Sequence, residues 1–453
     1  MVFFVLGPAY SAAKETMSVE QAAMHAWHIG ICALLISGLF KCVCSLGSNW
    51  IRRVVPRAGL LGSLTAIALV IIAFMPLMEI ISYPVAGMAA LAIILTTLIA
   101  RLRFPFRIPG ALAALLVGGT IYYLMTSTGW VPLPEGEQLF NPADALLPYE
   151  WFSVFKFQWL WALDDCLPYL PIILPFALGT VIGGIDCTES AAAAGDEYNT
   201  GRVIGVEAIA TLVAALCGGV IQTTPYIGHP AYKAMGGRAA YTLATALFVG
   251  GAGLLGYFGF LYVIIPKAAI FPILIFIGLE ISAQSFLATP RKHYAAIAIA
   301  CLPAMAYLVN IFTSQLLSDP SISQVLGNPT VISEKLTHTN QLTLLNLRIL
   351  SNGFIVTSLI WASSLAAIID RRLALAALYF LIAGACTFFG VIHSPLANNQ
   401  VFLIHQLTPE EQAIALRYLG GYLVMALILA LWHLHEQRNP SPPFIVEEPV
   451  GDS

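Results

Sequence analysis

Long apolar stretches alternate with short polar breaks over most of the chain. A bilayer crossing takes about 20 predominantly apolar helical residues. Stretches of that kind fall at 24–46, 58–83, 84–101, 109–127, 167–190, 203–221, 239–262, 263–287, 293–315, 346–370, 373–393 and 414–435. The pattern predicts an all-α polytopic membrane protein with about 12 spans. One segment breaks the alternation. Residues 223–237, Thr-Thr-Pro-Tyr-Ile-Gly-His-Pro-Ala-Tyr-Lys-Ala-Met-Gly-Gly, are polar and punctuated, yet lie between two very apolar runs. Pro225 and Pro230 lack a backbone donor, and Gly228, Gly236 and Gly237 loosen a helix. The expected element is a broken half-helix. Residues 1–14 are apolar but too short to cross alone.

Composition agrees. The chain has 453 residues, 58% hydrophobic and 10% charged, with a mean hydropathy of +0.82. A soluble domain carries roughly 25% charged residues. The net charge of -3 argues against a nucleic-acid partner. The longest polar stretches are 128–158, 316–344 and the tail after 436, so no separate soluble domain is expected. The opening MVFFVLGPAYSAAK lacks the positive start of a cleavable signal. The eight cysteines lie in or beside apolar runs and read as small buried hydrophobes. Cys42 and Cys44 have no second pair, so no zinc site is expected. Without an HExxH or an evident nucleophile–base set, an enzyme is not expected.

Basic residues orient the spans, because lysine and arginine concentrate on the cytoplasmic side. With the 47–57 loop inside and 223–236 counted as one crossing, the cytoplasmic ends receive Lys41, Arg52, Arg53, Arg57, Arg101, Arg103, Arg107, Arg202, Lys233, Arg238, Arg291, Lys292, Arg371, Arg372 and Arg438. Lys14, Lys156, Lys267, Lys335, Arg348 and Arg417 fall outside, with the acidic loop of Glu135, Glu137, Asp144 and Glu150. The expectation is a multi-pass inner-membrane protein whose C-terminal tail, 436–453, is short, cytoplasmic and disordered.

Acidic residues at membrane depth cost about 2.5–3.5 kcal/mol each on the insertion scale. Those inside or near the spans are Glu79, Asp164, Asp165, Asp186, Glu189, Glu207 and Glu280. Glu79, Asp164 and Asp165 lie near helix ends and read as interfacial, as do His25 and His28. Asp186 and Glu189, three apart, share a helix face, and Gly183, Gly184 and alanines 191–194 let neighbours approach. They either cap the inner helix end or hold a proton or a substrate donor. In the break, freed backbone groups can bind solute at the midplane. Thr223, Thr224 and Tyr226 add hydroxyls, Gly228 adds freedom, and His229 adds a titratable ring. Lys233 and Arg238 read as interface anchors. Glu280, with Gln284 one turn on, either bonds between helices or titrates as a secondary candidate.

Thr188-Glu189-Ser190, followed downstream by TTPYIGHPAYKAMGG, resembles the xanthine/uracil/ascorbate permease family, the nucleobase–ascorbate transporters. The stretches 50–64, 102–118 and 265–280 are similar too, and the resemblance covers roughly residues 1–315. It implies a seven-plus-seven inverted repeat with a core and a gate domain. The key glutamate of the family's eighth helix matches Glu189, with Asp186 as second choice. Where the tenth helix often carries another acid, this chain has His229. The run at 24–46 resembles the fourth helix, so the first two helices and part of the third are expected to be missing. The implied division is core 1–46, gate 47–127, outer loop 128–166, core 167–262, gate 263–370 and extra C-terminal helices 371–435.

The resemblance implies a permease for nucleobases such as xanthine, uracil or adenine. Glu189, Asp186, Thr223, Thr224, Tyr226, Gly228 and His229 would bind substrate. Glu189 or Asp186 would carry the coupling proton, with Na+ the alternative ion, no cofactor and a possible homodimer. An anion carrier of the related sulfate/bicarbonate branch and a truncated non-transporting binding or regulatory protein are the rival expectations.

Overall fold

The computed structural model describes residues 5–14, 16–131, 146–221, 224–225, 228–317, 319, 321–322, 335–396 and 400–440. Glu135, Glu137 and Asp144 of the acidic loop, site candidates Thr223 and Tyr226, and the tail from 441 lie outside these residues. Among the described residues all regular structure is helical and no strand occurs. The chain is an all-helical multi-pass membrane protein.

The helices are α1 (Gly7–Lys14), α2 (Val19–Val54), α3 (Arg57–Ser82), α4 (Pro84–Ile99), α5 (Gly110–Ser127), α6 (Leu170–Ala193), α7 (Thr200–Leu216) and α8 (His229–Ala234). Then follow α9 (Ala240–Leu255), α10 (Phe258–Ile264), α11 (Lys267–Leu287), α12 (Tyr294–Leu317), α13 (His338–Ser351), α14 (Phe354–Ile369), α15 (Leu373–Phe388) and α16 (Pro409–Arg438). Short 3-10 turns over 149–162 lead into α6. The aromatic residues at 151–161 gather there.

About 12 crossings were expected from apolar runs of about 20 residues. Among the described residues six helices are long and apolar enough alone, and nine if each bent pair counts once. The difference comes from breaks and short helices. The run 239–262 folds as α9 and α10, bent by 104°. The run 346–370 folds as α13 and α14, bent by 79°. The run 167–190 belongs to a third bent pair, with a 44° bend. α4 and α15 are apolar but short, and α7 has only 17 residues. The second bend has a local cause. Gly353 has φ +71°, and a Cβ there would stand 2.2 Å from the Val391 carbonyl oxygen. Only glycine fits that approach.

Local signals set the starts of α2 and α7. Ser18 and Gln21 form a capping box on α2, which satisfies free N–H groups at its start. Asn199 caps α7, accepting from Arg202 N at 3.0 Å and from Asn49 Nδ2 at 3.0 Å. Small residues then let α2 and α7 close together: Gly38 faces Leu212, and Gly201 faces Ser45 and Asn49. α6 packs on α2 and α7, while α3 packs on α12 and α14. Ala58, Ala296 and Ala366 form one apolar cluster. They place the starts of α3 and α12 and the end of α14 at one level. Tyr379 reaches the Val54 carbonyl, bringing the start of α15 there too. One end of the bundle therefore gathers Arg52, Arg53, Arg57, Arg291, Lys292, Arg371 and Arg372.

At the opposite end, two indoles hold the exit of α7. Trp27 Nε1 donates to the Gly218 carbonyl at 2.8 Å, and Trp151 Nε1 to that of Cys217 at 2.7 Å. From there the chain returns past Gly30, which faces Val220, and past Gly184, which faces Pro225, to His229 at the arginine end. The half-helix expected over 223–236 is the six-residue α8, and His229 is its first residue.

Candidate functional site

The acidic residues of α6 and α7 form two layers. The outer layer lies where α6 ends and α3 begins. Glu189 Oε2 accepts from Arg52 Nε at 2.8 Å, and its Oε1 accepts from Arg57 Nε. Arg52 Nη1 also donates to Glu197 Oε1 at 2.7 Å and to the Tyr198 carbonyl at 3.1 Å. Arginine suits this role because its planar fork serves several acceptors at once. The hydrogen bond from Arg52 holds the Glu197 carboxyl below its ordinary range. Beside it, Asp196 Oδ2 faces Lys233 Nζ at 2.9 Å and His229 Nε2 at 2.8 Å. Lys233 first and His229 second hold the Asp196 carboxyl low. Lys233 also donates to the Ala194 carbonyl at 2.7 Å.

The inner layer is buried. Asp186 is fully buried; its Oδ2 accepts from the Ser63 hydroxyl of α3 at 2.6 Å, and its Oδ1 has no partner. The same hydroxyl lies 2.9 Å from the Leu60 carbonyl. It can therefore donate there and accept a proton held on Asp186. Gly183 and Gly179 precede Asp186 on the same face. A Cβ on Gly183 would meet nothing within 4 Å, and one on Gly179 only Ile355 at 3.8 Å. Behind α6, Lys41 Nζ and Glu207 Oε1 pair at 2.7 Å, with side-chain exposures of 0% and 4%. Lys41 was expected at the cytoplasmic end. It lies inside instead, because a buried carboxylate one helix away demands a counter-charge.

The predicted residues are only partly brought together. Glu189 and Asp186 sit one turn apart facing α3. His229 pairs with Asp196 rather than with either of them. Thr224 is exposed and Gly228 buried. Glu280 accepts from Gln284 one turn along α11, at 3.1 Å. Among the described residues no group of three His, Cys, Asp or Glu side chains stands close enough to hold a metal ion. Two apolar cavities lie elsewhere. One of about 410 Å³ has Phe40, Leu174 and Phe402 in its wall; one of about 710 Å³ has Leu116, Tyr123 and Pro266. Neither is lined by Asp186, Glu189, Glu207 or His229.

Sequence reasoning gave no role to Ser63, Arg52 or Arg57 in the site and left Glu207 without a partner. A lysine and a glutamate each stranded in an apolar run are a readable sign of a buried pair. No comparable sign marks Ser63. No family model, curated protein or solved structure matches the chain.

Proposed function

We propose that the chain is a secondary active transporter that couples uptake of a nucleobase-like ring compound to protons. The observation that carries this is Asp186, a fully buried carboxyl between α6 and α3 with one unpartnered oxygen. An unsatisfied buried acceptor costs about 1–3 kcal/mol, and more if charged. Such groups in membrane proteins mark ion and proton pathways. Ser63 and Leu60 supply the geometry that a protonated Asp186 needs.

Asp186 also lies where α6 meets α3. α6 packs on α2, α3 and α7, and α3 packs on α12 and α14 as well. A shift of α6 against α3 would open the Asp186–Ser63 contact, with the Arg57–Glu189 contact one turn away joining the same two helices. Alternating exposure of a proton-bearing group is the essence of coupled transport. The nucleobase class, the seven-plus-seven arrangement and a cytoplasmic arginine end rest on the residue patterns of 183–237 and the basic ends. An anion carrier fits less well, because Arg52 and Arg57 are already engaged by Glu189.

Reconstitution tests the proposal. Proteoliposomes with an inward proton gradient should accumulate labelled xanthine, uracil or adenine. Asp186→Asn should permit exchange but not uphill accumulation. Gradient-driven accumulation by Asp186→Asn would overturn the coupling role, and no uptake of any of the three by wild type would overturn the substrate class.

A further inference from the structure

The turn between α4 and α5 carries cations that the rest of the molecule leaves alone. Ile94, near the end of α4, packs in one cluster with Leu61 and Leu64 near the start of α3. The turn that follows, Arg-Leu-Arg-Phe-Pro-Phe-Arg over 101–107, therefore lies at the arginine end. Other cations there are engaged: Arg52 and Arg57 by Glu189, Lys292 by Asp370 and Arg371 by Glu436. Arg101, Arg103 and Arg107 are exposed and have no partner among the described residues. The sequence holds no acidic residue between Glu79 and Glu135, so no near neighbour along the chain can balance them. The turn is nevertheless fixed. Leu102 N donates to the Thr96 carbonyl at 3.1 Å, and Arg107 N to that of Phe104 at 3.1 Å. Phe106 takes a left-handed φ of 60°, uncommon for a bulky residue. It stands out 96% exposed, with Leu102 at 61%.

Two apolar side chains among three unpaired arginines fit one kind of surface. Leu95 and Ile99 on α4, and Leu112 and Leu116 on α5, are exposed as well. Exposed apolar residues on a spanning helix hairpin face lipid. Leu102 and Phe106 continue that strip to the level where acyl chains give way to headgroups. There the long arginine stem lies along apolar surface while its head reaches the polar layer, and its planar fork matches phosphate. A soluble acidic partner would match the arginines but not the apolar strip that runs on into the span. We infer that residues 101–107 bind acidic phospholipid in the leaflet at the arginine end. Leu102 and Phe106 sit among the upper acyl chains, and Arg101, Arg103 and Arg107 meet the phosphates. The bound lipid holds the α4–α5 hairpin at a fixed depth. Binding of this kind is independent of any role for Asp186.

The experiment uses the full chain in mild detergent, with phosphatidylglycerol as the probe and phosphatidylcholine and inorganic phosphate as comparisons. Native mass spectrometry counts retained lipid, and melting is followed in parallel. Wild type should retain phosphatidylglycerol over phosphatidylcholine and melt higher with it, while inorganic phosphate should leave melting unchanged. One arginine beside an acidic lipid surface is worth about fivefold in binding. Arg101→Gln, Arg103→Gln and Arg107→Gln together should therefore weaken phosphatidylglycerol binding by about tenfold or more and remove the preference. Lysine at all three positions should keep most of it. Phe106→Ser should weaken retention of both lipids alike. All these positions are exposed, so each variant should melt near wild type without lipid. Equal retention of the two lipids by wild type overturns the inference, as does an unchanged preference in the triple glutamine variant. Should that variant not assemble, an unchanged preference in Arg103→Gln alone overturns it. A melting shift with inorganic phosphate equal to that with phosphatidylglycerol overturns lipid as the ligand.

Discussion

Two buried polar regions contrast sharply. At the C-terminal side, His393 Nδ1 donates to the Ile349 carbonyl, 3.2 Å away. Tyr422 donates its hydroxyl proton to His393 Nε2 at 2.6 Å and accepts from Trp361 Nε1 at 2.9 Å. Every polar atom in that chain of bonds has a partner, and the imidazole stacks on the Tyr422 ring, 18° from parallel. Around α6, by contrast, Asp186 Oδ1 and Glu207 Oε2 are left over. A fully satisfied buried network rigidifies, while a partly satisfied one stores cost that a ligand or proton can relieve. The first region joins α13, α14 and α16 as scaffold; the second has the character of a working site.

The sharpest way to break this comparison is to strand a charge. Glu207→Gln alone leaves Lys41 buried beside a neutral group and should destabilise by about 3–5 kcal/mol. The change should appear as a large fall in melting temperature in detergent. A melting temperature unchanged from wild type would mean that the pair is not ionic.

Tyr422→Phe leaves His393 Nε2 and the Trp361 N–H unpartnered, and should cost about 1–3 kcal/mol, read from melting at pH 7. Asp186→Asn should leave the protein folded in detergent while abolishing coupling. A large destabilisation instead would place Asp186 with the scaffold. The smallest effect belongs to Asp196. Its carboxyl is held below its ordinary range by Lys233 and His229. The contribution of that contact is present above the usual carboxylate range and lost as pH falls below it. Hydrogen exchange at 194–199 should rise under acid before exchange elsewhere in α6.

The helical, membrane-crossing character was legible because apolar run length is a one-dimensional property. The break at 223–237 was legible because Pro225, Pro230 and the glycines act locally. Span count was not, since bends at Gly353 and between α9 and α10 depend on which backbones approach. The Asp186–Glu189 pairing on one face followed from helical period alone. What surrounds it did not: Ser63, Arg57 and Lys41 arrive from other helices, and their meeting depends on packing. Glu207 needed a partner far along the chain before its purpose was readable. His393 went unnoticed because it closes the apolar run 373–393, and the sequence does not show which helices surround that end.

The start of α6 is tied down as well. Val401 N donates to the Pro171 carbonyl at 2.9 Å, and Phe402 N to that of Phe389 at 3.1 Å. Asn352 Nδ2 donates to the Ser394 carbonyl at 2.8 Å, fastening the same loop to the corner between α13 and α14. Just beyond Pro171 the helical run bends by 44° between Leu174 and Phe176. α6 is thus a lever with a clamped base and a joint. Asp186 lies roughly 16 Å beyond that joint at 1.5 Å per residue, so an additional tilt of about 10° swings it sideways by about 3 Å. That exceeds the 2.6 Å reach to Ser63, and a small angular change at a fixed hinge becomes the making or breaking of one hydrogen bond.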